Sequence, residues 1–194
     1  MTRHANIFAI LFSIADETKQ EKILKNVLEN DEIPAITTPY FNFFELDVLC
    51  RMGKLTEVLD KIRSYWGGML DLGAVTFWEE YDPSVPKEEQ YDMYGDHFGK
   101  SLCHAWAASP IYFLAKYFAG LDLVNKDGVT YILKPQMQYF TELDCTLPVG
   151  SNGVVRLVWD GEILEITPNA DGGILELGEQ KLFLVRGETR RVKI

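Results

Sequence analysis

The chain has 194 residues, of which 47% are apolar and 25% charged, so it is long enough and apolar enough to bury a core in one large or two small domains. Its net charge of -10 argues against a nucleic-acid partner, because phosphate binding needs clustered Lys and Arg. No stretch reaches the roughly 18 to 20 apolar residues of a membrane span, so no membrane partner is expected. Three widely spaced cysteines, Cys50, Cys103 and Cys145, predict reduced thiols and neither a disulfide framework nor a zinc site.

The first segment has two interpretations. Arg3, the apolar run from Ile7 to Ile14 and the small residues Ser13 and Ala15 imitate a secretory signal with a cleavage site after Ala15. The alternative is an ordinary buried helix that belongs to the fold. Composition alone does not separate the two.

Helical periodicity continues to about residue 118 and predicts about five helices with short connections. Apolar positions repeat with a helical period around Val27, again after Pro39 up to a cap at Gly53, and again from Leu55 to an end at Gly67 and Gly68. Ser109-Pro110 predicts either the start of a helix or a kink in one that begins near Leu102, and that helix runs to Gly120. Several of these helices are apolar on more than one face, which indicates oligomerisation or a larger assembly.

Residues 69–100 have no sustained period and predict an irregular segment of roughly 30 residues, a length that is usually functional inside a compact domain.

After Gly120 the period changes to two, and Asp127-Gly128, Asp160-Gly161 and Asp171-Gly172-Gly173 mark turns between strands. The pattern predicts a small antiparallel β-sandwich over residues 123–194, after an all-helical domain over residues 1–122.

Residues 74–106 mix aromatic rings with carboxylates and imidazoles, which is typical of carbohydrate clefts. Within the stretch AVTFWEEYDPS, Trp78 precedes Glu79 and Glu80. Carboxyl groups supply the acid and base of glycoside hydrolysis, and an adjacent aromatic raises a carboxyl pKa and stacks on sugar rings. Taken singly, these features have plainer explanations: a core tryptophan with solvated glutamates, and a structural role for His104. A metal held by Asp92, Asp96 and His97 is the weakest alternative, so no metal or cofactor is expected.

Three stretches, TPYFNFFELDVL, IRSYWGGMLDLGAVTFWEEYDPS and GKSLCHAWAASPIYFLAKYFAG, resemble in order and spacing the C-terminal part of bacterial α-L-rhamnosidases of glycoside hydrolase family 78. The most specific pieces are the T-x-W-E run (Thr76, Trp78, Glu79), the SYWGGML turn and the HAWAASP helix start. The resemblance implies the last helices of an (α/α)6 barrel followed by the family's C-terminal β-domain. It also favours the buried helix over the signal peptide at the N-terminus.

The resemblance further implies an inverting hydrolase acting on a rhamnose-containing carbohydrate. The family's general base falls on Glu79, with Trp78 shaping the pocket, His104 contacting the sugar and Trp106 lining the same subsite. Glu80 has no assigned role. The family's general acid and rhamnose-gripping acidic cluster lie upstream, and nothing before Thr76 matches them. We therefore expect a fragment that turns over rhamnosides poorly or not at all, with its true N-terminus absent and its compartment, cytoplasmic or periplasmic, undetermined.

Three functions remain open at this point. The first is the base-bearing part of an α-L-rhamnosidase, and the second is a non-catalytic carbohydrate-binding or scaffold protein derived from that family. The third is a protein-interaction module that uses exposed apolar helix faces. The expected association is a homo-oligomer through those faces, or pairing with the missing N-terminal part of the barrel.

Overall fold

The computed structural model describes residues 2–126, 129–151 and 153–194, and its secondary structure changes from helix to strand along the chain. The chain divides into two compact units, one ending at Pro110 and the other beginning at Ile111. The sequence places the boundary after residue 122, whereas the structure groups the last helical turns with the strands.

The helices are short, and three of them continue into π-helical turns. The α-helices are α1 (Arg3–Leu11), α2 (Glu17–Ile23), α3 (Pro39–Arg51), α4 (Leu55–Lys61), α5 (Gly67–Asp71) and α6 (Ser109–Phe113). The π-helical turns Leu24–Leu28, Ile62–Trp66 and Leu114–Phe118 follow α2, α4 and α6. Short 3₁₀ turns lie at Lys87–Glu89, Ala105–Ala107 and Met137–Tyr139. Among the described residues, none of the helices is long and apolar enough to cross a membrane.

Local signals set several helix boundaries as predicted. Pro39 stands in the first turn of α3, where its missing N–H is not needed, and Gly53 after the helix has φ 73°, the left-handed conformation of a C-terminal cap. Helix α6 begins at Ser109, so the first of the two predictions for Ser109-Pro110 is confirmed. The predicted helix end at Gly67 and Gly68 is wrong, because the helical path continues through both residues to Asp71.

The reason for the glycine at position 68 is packing and not termination. A Cβ at Gly68 would overlap the ring of Tyr81, so the glycine lets the irregular segment lie directly against the helix. A glycine pair after an apolar stripe therefore marks a close approach here, although the same pair is a common sign of a helix end.

The predicted (α/α)6-barrel architecture is wrong. Over the described residues the structure has short helices and eight strands in two sheets, a mixed α+β fold in which the longest α-helix has 13 residues. Apolar side chains of PYFNFFELDVL that the barrel interpretation left without partners are partly buried within this unit, because α3 packs against α1 through aromatic pairs. Phe44 lies edge-on to Phe8 at 5.3 Å between ring centroids, and Phe41 lies edge-on to His4 at 4.4 Å. Part of the apolar surface thus has its partners within the chain.

The second unit is built from two four-stranded sheets. The strands are β1 (Leu121–Lys126), β2 (Val129–Leu133), β3 (Leu143–Val149), β4 (Gly153–Trp159), β5 (Ile163–Pro168), β6 (Gly173–Leu177), β7 (Gln180–Leu184) and β8 (Arg190–Lys193). One sheet has the order β1-β2-β6-β7 and the other β3-β4-β5-β8. Side chains from both sheets share one core that includes Tyr131, Leu157, Leu164 and Leu175, each 0% exposed.

The hairpin predicted at Asp160-Gly161 is confirmed, with β4 and β5 paired antiparallel in the register Trp159 to Leu164. The expectation of a wholly antiparallel arrangement is wrong, because β2 pairs parallel with β6 in the register Tyr131 to Gly173. A parallel pair needs a crossover, and here residues 134–172, which include β3 to β5, supply it. The predicted Asp127-Gly128 turn lies outside the described residues.

Candidate functional site

Two irregular stretches of the first unit are joined by backbone hydrogen bonds that bring the sequence-predicted residues Glu79 and His104 together. The backbone N–H of Glu79 donates to the carbonyl of Ser101 at 2.9 Å, and the N–H of His104 donates to the carbonyl of Phe77 at 2.8 Å. The Thr76 hydroxyl donates to the carbonyl of Leu102. These bonds place the T-x-W-E run beside the residues that precede the HAWAASP turn.

The carboxylate of Glu79 is nearly buried and held at both oxygens. The Tyr94 hydroxyl donates to Oε1 at 3.0 Å, and the backbone N–H of Ser101 donates to Oε2 at 3.2 Å. His104 Nδ1 lies 3.8 Å from Oε2, and the Glu79 side chain is 10% exposed. Bonding to an ionised carboxylate raises the pKa of the Tyr94 hydroxyl, since losing its proton would set two negative charges side by side.

Both donors to Glu79 come from one hairpin and its exit, residues 91–101. The N–H groups of Met93 and Asp96 each donate to the other's carbonyl, at 3.0 and 2.9 Å, and close a two-residue turn. Tyr94 and Gly95 have φ 54° and 81°, the pair of positive values of a type I′ turn. Further down, the N–H of Lys100 donates to the carbonyl of Tyr91 at 3.1 Å. The hairpin thus holds the Tyr94 backbone in a fixed place near Glu79.

Trp106 offers an open aromatic surface beside this carboxylate. Its ring lies tilted over His104 at 4.1 Å between ring centroids and contacts Tyr40 at 5.3 Å. Trp106 is 46% exposed and Tyr40 is 43% exposed, so both rings present area to solvent. Glu79, His104 and Trp106 therefore form a continuous chain of neighbours running from a buried acid to an exposed aromatic face.

Trp78 has a different position from Trp106. It is 3% exposed, and its ring lies edge-on to Tyr91 at 5.7 Å. Its contact with Tyr91 connects the T-x-W-E run to the base of the hairpin. Trp78 is thus a packing residue buried against the base of the hairpin, and not a face on which a ligand stacks. That it shapes a pocket around Glu79 stays a prediction.

The two adjacent glutamates contact different partners. Glu80 accepts a hydrogen bond from the Thr37 hydroxyl at 2.8 Å and lies 3.9 Å from the ammonium of Lys100. Burial lowers the pKa of Lys100, while the Glu80 carboxylate acts in the opposite direction. Glu80 therefore connects the T-x-W-E run to the loop before α3 through Thr37. Of the two glutamates, Glu79 is the one that contacts Tyr94 and His104.

The third acidic group of interest, Asp92, is paired with His97 Nδ1 at 2.6 Å on the exposed side of the hairpin. Within residues 2–126, 129–151 and 153–194, no group of three or more His, Cys, Asp or Glu side chains is placed to hold a metal ion.

Sequence reasoning missed the roles of Tyr94, Ser101 and Tyr40. The Tyr94-Gly95 dipeptide inside DMYGD is a turn signal that could have located the hairpin tip. No local signal marks Ser101, because its contribution is a backbone N–H paired across 22 positions of the chain.

Comparison of the chain with models of known protein families gives no match, and comparison with curated protein sequences gives none either. The resemblance to α-L-rhamnosidases therefore rests on the quoted motifs alone.

Proposed function

We propose that the first unit binds a saccharide at Glu79, with Trp106 as the stacking surface. One observation carries this proposal: the hydrogen-bonded, nearly buried carboxylate of Glu79 and the half-exposed indole of Trp106 both contact His104, which lies between them. A carboxylate fixed by the backbone N–H of Ser101 is a pre-organised acceptor for ligand hydroxyls, and an exposed aromatic face accepts the C–H side of a sugar ring.

The substrate class follows from the motif resemblance. The T-x-W-E run and the HAWAASP turn, which are the most specific of the matching pieces, are the stretches that carry Glu79, His104 and Trp106. We therefore propose a terminal α-L-rhamnoside or a related 6-deoxy sugar as the ligand. Rhamnose has vicinal hydroxyls that can donate to Glu79 and a methyl group suited to an aromatic neighbour.

Rhamnoside hydrolysis with Glu79 as general base is the second candidate. It is favoured by the approach of His104 to Glu79, since an imidazole beside a carboxylate can help to position a water. An inverting reaction also needs an acid roughly 6.5 to 9.5 Å from the base. Glu80 is engaged by Thr37 and Lys100, and Asp92 is paired with His97. Binding without rapid turnover is the function that the geometry supports best.

Isothermal titration calorimetry with L-rhamnose tests the proposal. We expect measurable binding by the wild-type chain and a loss of about tenfold or more in Glu79→Gln, because a neutral amide replaces a charged acceptor. Trp106→Ala should weaken binding by a similar factor through loss of stacking. Glu88→Gln, a charge removal at an exposed position of the same segment, is the control and should bind as the wild type does. Absence of binding by the wild type would show the proposal to be wrong.

Hydrolysis is tested separately with a chromogenic α-L-rhamnoside. We expect turnover of the wild-type chain near background. Saturable release of the chromophore that disappears in Glu79→Gln would favour the second candidate over the first.

A further inference from the structure

We propose that Tyr94 determines which ligands reach Glu79, because its hydroxyl occupies Oε1 of a nearly buried carboxylate and competes there with a ligand hydroxyl. This inference rests on the proposed saccharide binding at Glu79. It adds a specificity residue that the motif resemblance does not supply, since Tyr94 lies outside the T-x-W-E and HAWAASP stretches.

The first argument is the number of acceptor positions that Glu79 has left. Its side chain is 10% exposed, and one acceptor position on each oxygen is taken, by Tyr94 on Oε1 and by the Ser101 N–H on Oε2. The Ser101 donor belongs to the backbone and is fixed by the paired stretches. The Tyr94 donor belongs to a side chain, so it is the one of the two that can be exchanged for a ligand hydroxyl.

The second argument is how Tyr94 itself is held. The residue is 82% exposed, so packing holds the ring weakly and the bond to Glu79 is its main polar contact within the described residues. Rotation of an exposed side chain about χ1 needs no backbone movement.

The third argument is that the backbone of Tyr94 is pinned at some conformational cost. A non-glycine residue at φ 54° is uncommon, and Asn, Asp or Gly would fit this position of a type I′ turn better than a tyrosine. Gly99 adds a second constraint, because a Cβ there would overlap the carbonyl of Met93 and prevent the close approach within the hairpin. The turn keeps the tyrosine next to Glu79 while leaving its side chain free to rotate.

A ligand enters this site by replacing the phenol hydrogen bond with one of its own. The site therefore selects a polyol with a hydroxyl donor at that position, because a deoxy analogue has no hydrogen bond to offer in exchange for that of Tyr94.

The test compares L-rhamnose binding by the wild type, Tyr94→Phe and Tyr94→Asn, using calorimetry. Tyr94→Phe removes only the competing hydroxyl, and we expect binding about 2- to 10-fold tighter than that of the wild type. Tyr94→Asn suits the turn and also removes the phenol, so it shows whether a relaxed turn changes the result. Tyr139→Phe removes a hydroxyl from a tyrosine of the second unit, whose ring packs against Phe118, and should leave the affinity unchanged.

A second readout follows the tyrosine directly. In protein labelled with ¹³C at the tyrosine rings, we expect the Tyr94 pKa to lie above its ordinary value in the free chain and to move towards that value with saturating L-rhamnose, as the bond to Glu79 is lost. Equal or weaker binding by Tyr94→Phe, with the wild type still binding, would overturn the role of Tyr94 and leave saccharide binding intact. Absence of binding by both proteins would overturn saccharide binding itself, and this inference with it.

Discussion

Glu79 and Ser101 are joined by two hydrogen bonds that run in opposite directions. The N–H of Glu79 donates to the Ser101 carbonyl at 2.9 Å, and the N–H of Ser101 donates to the Glu79 carboxylate at 3.2 Å. One bond fixes the backbone of the glutamate and the other fixes its side chain. A single residue of the partner stretch thereby orients the carboxylate at the centre of the candidate site.

This pairing predicts that the backbone of Ser101 matters for binding and its hydroxyl does not. Ser101→Pro removes the N–H donor, and we expect L-rhamnose affinity to fall about fivefold or more because Glu79 loses a fixed partner. Ser101→Ala keeps the N–H and should bind like the wild type. Calorimetry on both variants, with circular dichroism to check folding, distinguishes the two; equal effects of the two substitutions would contradict the prediction.

Arg3 predicts a large stability effect in the first unit. Its guanidinium is buried and donates to the Leu28 carbonyl at 2.7 Å, to the Pro34 carbonyl at 3.2 Å and to Glu45 Oε1 at 3.4 Å. Arg3→Met leaves these acceptors without that donor, and we expect the free energy of unfolding to fall by about 3 kcal/mol or more.

The control for this prediction is Arg63→Met, which breaks an ion pair with Asp60 in which both side chains are more than half exposed. That change should cost less than about 1 kcal/mol. Urea unfolding of both variants measures the difference. Similar losses in the free energy of unfolding would show that the buried hydrogen bonds of Arg3 do not stabilise the first unit as described.

Gly120 and Gly150 provide a matched pair in the second unit. Their φ values are 73° and 72°, so a side chain is strained equally at both. A Cβ at Gly150 meets nothing within 4 Å, whereas one at Gly120 would overlap the backbone of Lys134. We expect Gly150→Ala to cost about 1 kcal/mol and Gly120→Ala about 2 to 4 kcal/mol in thermal or urea unfolding. Equal losses would mean that the close approach at Gly120 relaxes freely.

Tyr131 predicts a substitution that stabilises the protein. Its side chain is 0% exposed, and its hydroxyl has no hydrogen-bond partner within the described part of the chain. Tyr131→Phe removes a desolvated hydroxyl without changing the ring, so we expect the free energy of unfolding at neutral pH to rise by about 1 kcal/mol. A loss of stability in urea unfolding would show that the hydroxyl is paired in solution.

The same residue predicts a pH dependence. Burial raises the pKa of Tyr131 to about 12, above its ordinary value near 10. The folded state therefore favours the protonated phenol, whereas the unfolded chain loses this proton near pH 10. The free energy of unfolding is unaffected by this residue below pH 10 and falls as the pH rises from about 10 through 12. Stability curves of the wild type and Tyr131→Phe between pH 8 and 12 should diverge over this window. Parallel curves would exclude the contribution of Tyr131.

Strand and turn signals predicted local structure better than they predicted pairing. Asp160-Gly161 defines its hairpin because the two strands are adjacent in the chain and the turn alone sets their register. The pairing of β2 with β6 depends on residues about 40 positions apart, and no local pattern specifies it. In the helical part, Gly67-Gly68 shows the limit of a cap signal, because the reason for Gly68 is the distant Tyr81 ring.

The candidate site was predictable in its residue types and not in its geometry. Glu79, His104 and Trp106 were candidate site residues from the sequence, and the structure brings these three side chains together. The role of Tyr94 depends on the hairpin, whose tip brings this mostly exposed residue to the buried carboxylate of Glu79. The role of Ser101 depends on the backbone hydrogen bond between Ser101 and Glu79. Both arise from contacts between residues distant in sequence, which periodicity does not report.

The most direct test of saccharide binding at Glu79 is a titration of ¹⁵N-labelled protein with L-rhamnose followed by two-dimensional NMR. We predict saturable shifts of the Ser101 amide and the Trp106 indole N–H, with both lost in Glu79→Gln and retained in Glu88→Gln. No shifts at either position, or shifts that persist unchanged in Glu79→Gln, would contradict the account.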